Sequence, residues 1–129
     1  MVAVPSVAME LPAAAESVNE ARQRARGFAA DNGAGEETLA AVALAVSEAV
    51  GNAVRHAYPD GDGTVEVLVD VEDGELELVV TDEGQGFTTR AVTGLGVGLA
   101  VMREVSEAFE IRDRPLGGVE VWMRFALGS

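Results

Sequence analysis

The chain has 129 residues, enough for one domain with its own core, and with 48% apolar but only 5% aromatic residues that core must be built largely from Ala and Val. It has no Cys, one His and no Lys, which excludes disulfides, thiolate zinc sites, a cage of several His, a Walker-type phosphate-binding lysine and Schiff-base chemistry. A formal net charge of −13 disfavours direct contact with nucleic acid and makes a basic protein partner the better complement. The first residues, Met1 to Pro12, have neither a basic start nor a long apolar run. No targeting or membrane segment is therefore expected, and a cytoplasmic location is the default.

Val7 to Leu11 reads as a strand that Pro12 ends. Ser17 is expected to open a helix, paired with Glu20 in a capping box, and Val18, Ala21, Ala25, Phe28 and Ala29 give it one apolar stripe. Asn32-Gly33 closes it. A longer helix follows, about Glu36 to Ala57, with Leu39, Val42, Ala43, Val46, Val50, Ala53 and Val54 on its buried side. Glu36 and Glu37 suit its positive end, Arg55 and His56 its negative end. After a turn at Pro59-Asp60-Gly61, Thr64–Val71 and Glu75–Thr81 form a hairpin through Asp73-Gly74. Residues 82–98 read as a glycine-rich loop, Leu99–Ala108 as a helix, and Phe109–Arg112 and Val119–Leu127 as strands joined through Pro115 and Gly117-Gly118. No internal repeat interrupts this order. It predicts a single domain over 1–129, an α/β (α+β) two-layer sandwich with helices on one face of a largely antiparallel mixed sheet.

Three segments carry chemistry. Glu48 and Asn52 are four residues apart on the long helix, so their side chains are neighbours. A carboxylate beside an amide oxygen suits Mg2+, and Glu48 could equally serve as a general base on a hydroxyl. Gly51 between them costs a helix ~1 kcal/mol, which close approach of a ligand would explain. The alternative is a solvated helix face with an incidental glycine. Asp82, at the end of an apolar strand, can accept a hydrogen bond from a base amine, and Gly84 and Gly86 would let backbone approach a flat ring; an ordinary acidic turn is the competing reading. Gly94, Gly96 and Gly98, followed by Leu99, form a glycine string that enters a helix whose free N–H groups can face phosphate, or else a plain connector. The string is not the dinucleotide-binding fingerprint, which follows the first strand of a βαβ unit. With no Lys and this net charge, an anionic nucleotide would have to be held by Mg2+, backbone N–H groups or a local Arg.

In their order, these segments resemble the N, G1 and G2 boxes of the GHKL (Bergerat-fold) ATPases, the superfamily that includes gyrase, histidine kinases and MutL. The stretch Asn52-Ala-Val-Arg-His56-Ala57-Tyr58 is similar to the N-A-x-x-H-A-Y stretch of the small anti-sigma-factor serine/threonine kinases of bacterial partner-switching systems. The resemblance covers nearly the whole chain. It implies that Asn52 ligates Mg2+, that Glu48 is the catalytic base for a partner's serine hydroxyl, and that Asp82 binds the adenine amine with Gly84 and Gly86 against the base. It also implies that Gly94, Gly96, Gly98 and Leu99 hold the phosphates of ATP by backbone, with Arg90 in reach of them. The partners it implies are a sigma factor and an anti-anti-sigma protein of the STAS fold, with no nucleic acid and no membrane; dimers are common in that family, so a homodimer is a candidate assembly.

Two features depart from the family pattern. The lid between the second and third boxes is short, Phe87 to Thr93, and Val119 stands after Gly118 where many members have Thr. They motivate an alternative function, a non-catalytic, nucleotide-dependent module that sequesters a sigma factor. The ATPase half of a split histidine kinase is disfavoured, because no phosphoacceptor helix is in sight.

Four further readings are structural. His56 is expected to tie down the helix end rather than to contact nucleotide or substrate, Tyr58 to pack with its hydroxyl bonded, and Trp122 to lie on the outer sheet face, either as plain packing or as part of an interface. Arg22, Arg24 and Arg26 solvate the first helix and form the densest basic cluster.

Overall fold

Val65, Val67 and Val69 alternate with Glu66, Leu68 and Asp70, so the pleat sends the valines to one face and the others to the opposite face. The same alternation runs through five strands of the computed structural model, which describes residues 4–86 and 96–128. The strands are β1 (Ser6–Pro12), β2 (Thr64–Glu72), β3 (Glu75–Asp82), β4 (Ala108–Asp113) and β5 (Val119–Ala126). They form one sheet in the order β1-β2-β3-β5-β4, with every pairing antiparallel. The inward residues, among them Met9, Val67, Leu78, Met123 and Phe125, are buried.

Among the described residues three α-helices complete the order: α1 (Ala15–Asp31), α2 (Glu36–Asn52) and α3 (Gly96–Val105). A π-helical turn, Ala53–Ala57, continues α2. The expected two-layer arrangement, helices against a largely antiparallel sheet, is therefore what the chain adopts. The helix from Glu36 to Ala57 is 22 residues long and apolar enough to span a bilayer, but half of its apolar stretch is buried inside this chain. It packs between α1 and α3 as the central core helix. Ala21, Ala25 and Ala29 are fully buried on α1, and their small size lets the two helices approach closely.

Ser17 departs from its expected role. The N-cap is Ala14, without a side-chain cap bond, and Ser17 lies inside α1. Its hydroxyl donates to the Pro12 carbonyl at 2.6 Å, fastening the helix to the end of β1 instead of to its own N–H groups. The buried side of α2 is also rotated from the expected stripe. Ala45 and Ala49 are buried whereas Ala43 is only partly so, because α3 covers a flank that a single-stripe reading leaves to solvent. The third helix starts at Gly96, three residues before the expected Leu99.

The β2–β3 turn behaves as its sequence dictates. Asp73 and Gly74 both have positive φ, 54° and 78°, as a two-residue hairpin turn of the primed type requires. Trp122 lies on the outer face, as expected, donating from Nε1 to Glu77 at 2.7 Å with the Arg124 guanidinium 5.9 Å above its ring.

On that outer face Asp70 is directly opposite Glu77. Partial burial, then Glu77 and Glu72, hold the Asp70 carboxyl above its ordinary value of 3.8. A raised value means that the folded state keeps this proton longer than the unfolded chain. Stability therefore falls as the pH rises from 3.8 through the raised value. Asp70→Asn is expected to raise Tm at pH 7 by removing a like-charge cross-strand pair worth about 0.2–1 kcal/mol, with the gain shrinking as the pH is lowered toward 3.8. Thermal denaturation at the two pH values checks this, and a gain that persists undiminished in acid would contradict it.

Candidate active site

The candidate residues lie at the C-terminal end of α2, at the end of β3 and at the start of α3. Glu48 and Asn52 point toward α3 from the last turns of α2. A Cβ placed on Gly98 would lie 3.0 Å from Asn52 Nδ2 and 3.1 Å from Glu48 Oε2. Gly98 is thus the point at which the first turn of α3 rests on both side chains. Asn52 is 7% exposed, and its Oδ1 accepts a hydrogen bond from Arg55 Nη2 at 3.0 Å. The same guanidinium covers Gly51, whose absent Cβ would sit 3.0 Å from Nη1. The mid-helix glycine therefore makes room for Arg55.

These groups pass a test of fit for Mg2+. The ion takes oxygen ligands, keeps several waters and takes the rest from phosphates. One carboxylate and one amide oxygen side by side are a suitable partial set, although Arg55 competes for the amide oxygen. Among the described residues no cluster of three or more acidic or His side chains offers a complete protein cage.

Asp82 ends β3 and is 4% exposed. Its Oδ1 accepts from the backbone N–H groups of Gly84 at 3.0 Å and Val119 at 3.3 Å. Two N–H donors fix the plane of the carboxylate at the floor of the site. Arg114 donates to the Asp82 carbonyl at 3.0 Å and lies 3.8 Å from the Glu83 carboxylate. Val119 itself is buried, so its contribution here is made by its main chain.

The loop after Asp82 is fastened to the π-helical turn. Gln85 N–H donates to the Ala57 carbonyl at 2.7 Å, and Gln85 Nε2 to the His56 carbonyl at 2.6 Å. These bonds satisfy carbonyls that a helix end leaves without partners. Tyr58 Oη accepts from Glu83 N–H at 2.8 Å and donates to the Thr64 carbonyl at 2.7 Å. A Cβ on Gly84 would fall 1.9 Å from the Ala57 carbonyl oxygen, so its missing side chain is what lets the loop pack on the end of the long helix. A Cβ on Gly86 would meet Asp113 Oδ1 at 3.0 Å.

Glu48, Asn52 and Gly98 are brought into contact, while Asp82, Gly84 and Val119 make a second group, joined to the first through the π-helical turn. Gly96 begins α3, and Leu99 is partly buried against the core. Arg90 and Gly94, and the short lid, lie outside the described residues. Sequence reasoning missed Arg55, Gln85 and Arg114, and the main-chain donor at Val119. The Gly117-Gly118 pair was the one available signal for the last two.

The model of the histidine kinase-like ATPase domain matches residues 11–125. The chain belongs to this family. Similar members include the anti-sigma F factor of Clostridium acetobutylicum, 33% identical over an alignment of 135 positions that takes in 92% of this chain and 94% of that one. The serine-protein kinase RsbW of Staphylococcus epidermidis is 34% identical over 87 residues, 66% of this chain and 55% of that protein. A solved structure of the RsbU and RsbW domains of a Mycobacterium tuberculosis protein superimposes with a TM-score of 0.78 at 26% identity, covering 95% of this chain and 32% of that one. The resemblance drawn from the three boxes is thereby borne out, and with it the ATPase-domain fold.

Proposed function

We propose that this histidine kinase-like ATPase domain, spanning 1–129, is an ATP-binding anti-sigma regulatory factor and a Mg2+-dependent serine/threonine protein kinase acting on a STAS-type anti-anti-sigma partner. The observation that carries the reading is the convergence of Glu48 and Asn52 on Gly98, at the point where α3 presents its N-terminal N–H groups. The names of the similar chains support the regulatory half of it.

In this reading Asn52 would hold Mg2+ through its side-chain oxygen. Mg·ATP, when bound, supplies the phosphoryl group and the neutralisation that its transfer requires. Glu48 takes the proton of the partner's serine hydroxyl. Asp82, with Oδ1 fixed by two N–H groups, accepts from the adenine amine. Gly96, Gly98 and Leu99 would offer main-chain N–H groups to phosphate, and the family resemblance assigns Gly94 and Arg90 to the same ligand. A sigma factor is the sequestered partner, a homodimer the candidate assembly, and the cytoplasm the location.

The test is transfer of radiolabelled γ-phosphate from Mg·ATP to a serine of a co-expressed STAS protein, read by gel and mass spectrometry. Phosphoserine on that partner is expected. ATP binding without transfer to any cognate STAS protein would leave only the sequestering module that the short lid and Val119 motivate.

A further inference from the structure

At the ends of α2 and α3 remote from Gly98 lies an open groove of about 450 Å³. Its apolar floor includes Ala41 and Leu44 of α2 and Val105 of α3. Leu44 is 44% exposed, one of few large apolar side chains in that state among the described residues. Glu37, Glu104 and Glu107 stand on the rim, all exposed. None of the three makes an ion pair among the described residues, unlike Glu20, Glu75 and Glu120, which pair with Arg24, Arg124 and Arg112.

An apolar channel between two helices, edged by unpaired carboxylates, is complementary to an amphipathic helix that carries Arg or Lys beside an apolar ridge. It is equally ill suited to phosphates or acidic peptides. We infer that this groove docks a basic amphipathic helix of a protein partner, with its apolar side chains against Leu44 and Val105 and its cations on Glu37, Glu104 and Glu107. The surface is distinct from the nucleotide site, and the inference does not rest on the kinase reading. The two do share one element. α3 rests on Glu48 and Asn52 through Gly98 in its first turn and lines the groove through Val105 in its last, about 10 Å away along the helix.

The probe is a fluorescein-labelled 18-residue peptide with Leu on one helical face and Arg on the other, and its counterpart with Glu for Arg. Binding to the intact chain is followed by anisotropy without nucleotide. Three proteins are compared: wild type, the triple variant Glu37→Gln/Glu104→Gln/Glu107→Gln, and the triple variant Glu10→Gln/Glu66→Gln/Glu77→Gln, which removes the same charge from the outer sheet face. The expected result is binding of the Arg peptide alone, weakened at least about tenfold, or 1.4 kcal/mol, by the groove variant and little by the sheet variant. Leu44→Ala should weaken it too, with the melting temperature confirming a folded protein. Equal weakening by both triple variants would reduce the effect to diffuse attraction and overturn the inference. So would no binding by wild type, or a fall in sedimentation mass in the groove variant alone, which would give the groove to a second copy of the chain.

Discussion

Glu48→Gln is expected to slow phosphoryl transfer by roughly 10²–10⁴-fold, the usual contribution of a positioned general base, while leaving Mg·ATP affinity largely unchanged. Gln has the size and shape of Glu, so the contact with Gly98 survives, and Asn52 keeps its bond to Arg55 when the site is empty. What is lost is the capacity to take a proton from a serine hydroxyl. Single-turnover transfer to the STAS partner, set beside calorimetric ATP binding, separates the two effects. A variant that transfers at the wild-type rate would remove Glu48 from the chemistry. One that no longer binds ATP would make it a binding residue instead.

Gly118→Ala is expected to be among the most damaging single methyl additions at the described residues, because a backbone clash and a positive φ coincide there. Gly118 has φ +97°, and a Cβ there would fall 2.0 Å from the Asp82 carbonyl oxygen and 2.7 Å from Glu83 Cα. Both obstacles are backbone, so no side chain can swing aside. The turn must open, which pulls Val119 N–H from Asp82 Oδ1. Gly117 is the internal control: φ is +108°, yet its nearest neighbour would be 3.9 Å away. Gly117→Ala therefore bears only conformational strain, ~1–2 kcal/mol, whereas Gly118→Ala adds an unrelievable clash and is expected to cost more than ~3 kcal/mol in total. Urea unfolding of both variants measures the difference, and equal midpoints would contradict it. ATP binding should fall with Gly118→Ala even where the fold persists, because the Asp82 carboxylate loses the main-chain donor at Val119.

The features legible in the sequence were those set by local spacing. Two-residue alternation located β2 and β3, the Asp73-Gly74 pair fixed their register, and four-residue spacing placed Glu48 beside Asn52. Trp122 declared its face by alternation with Val121 and Met123. What stayed hidden depends on partners far along the chain. Gln85 reaches the end of the long helix across 28 and 29 residues, and Arg114 reaches Asp82 across 32. Nothing in a local pattern names such contacts.

The donor at Val119 was invisible for another reason. Every residue but Pro has a backbone N–H, so a main-chain ligand leaves no mark in residue type. Ser17 misled because a serine three residues before a glutamate is a good cap in isolation, while a nearby carbonyl at Pro12 made a better acceptor for its hydroxyl. Gly84 was noticed for the right property, its missing Cβ, but the close neighbour is the chain's own Ala57 carbonyl.

Glu48, Asn52, Asp82 and the glycines around them are proposed to form a working Mg·ATP site. Calorimetric titration of Mg·ATP into wild type and Asn52→Ala tests it most directly. Wild type should bind with micromolar affinity and the variant, still folded, should show no heat up to millimolar nucleotide. Absence of wild-type binding at millimolar ATP, or unchanged binding by Asn52→Ala, would contradict the account.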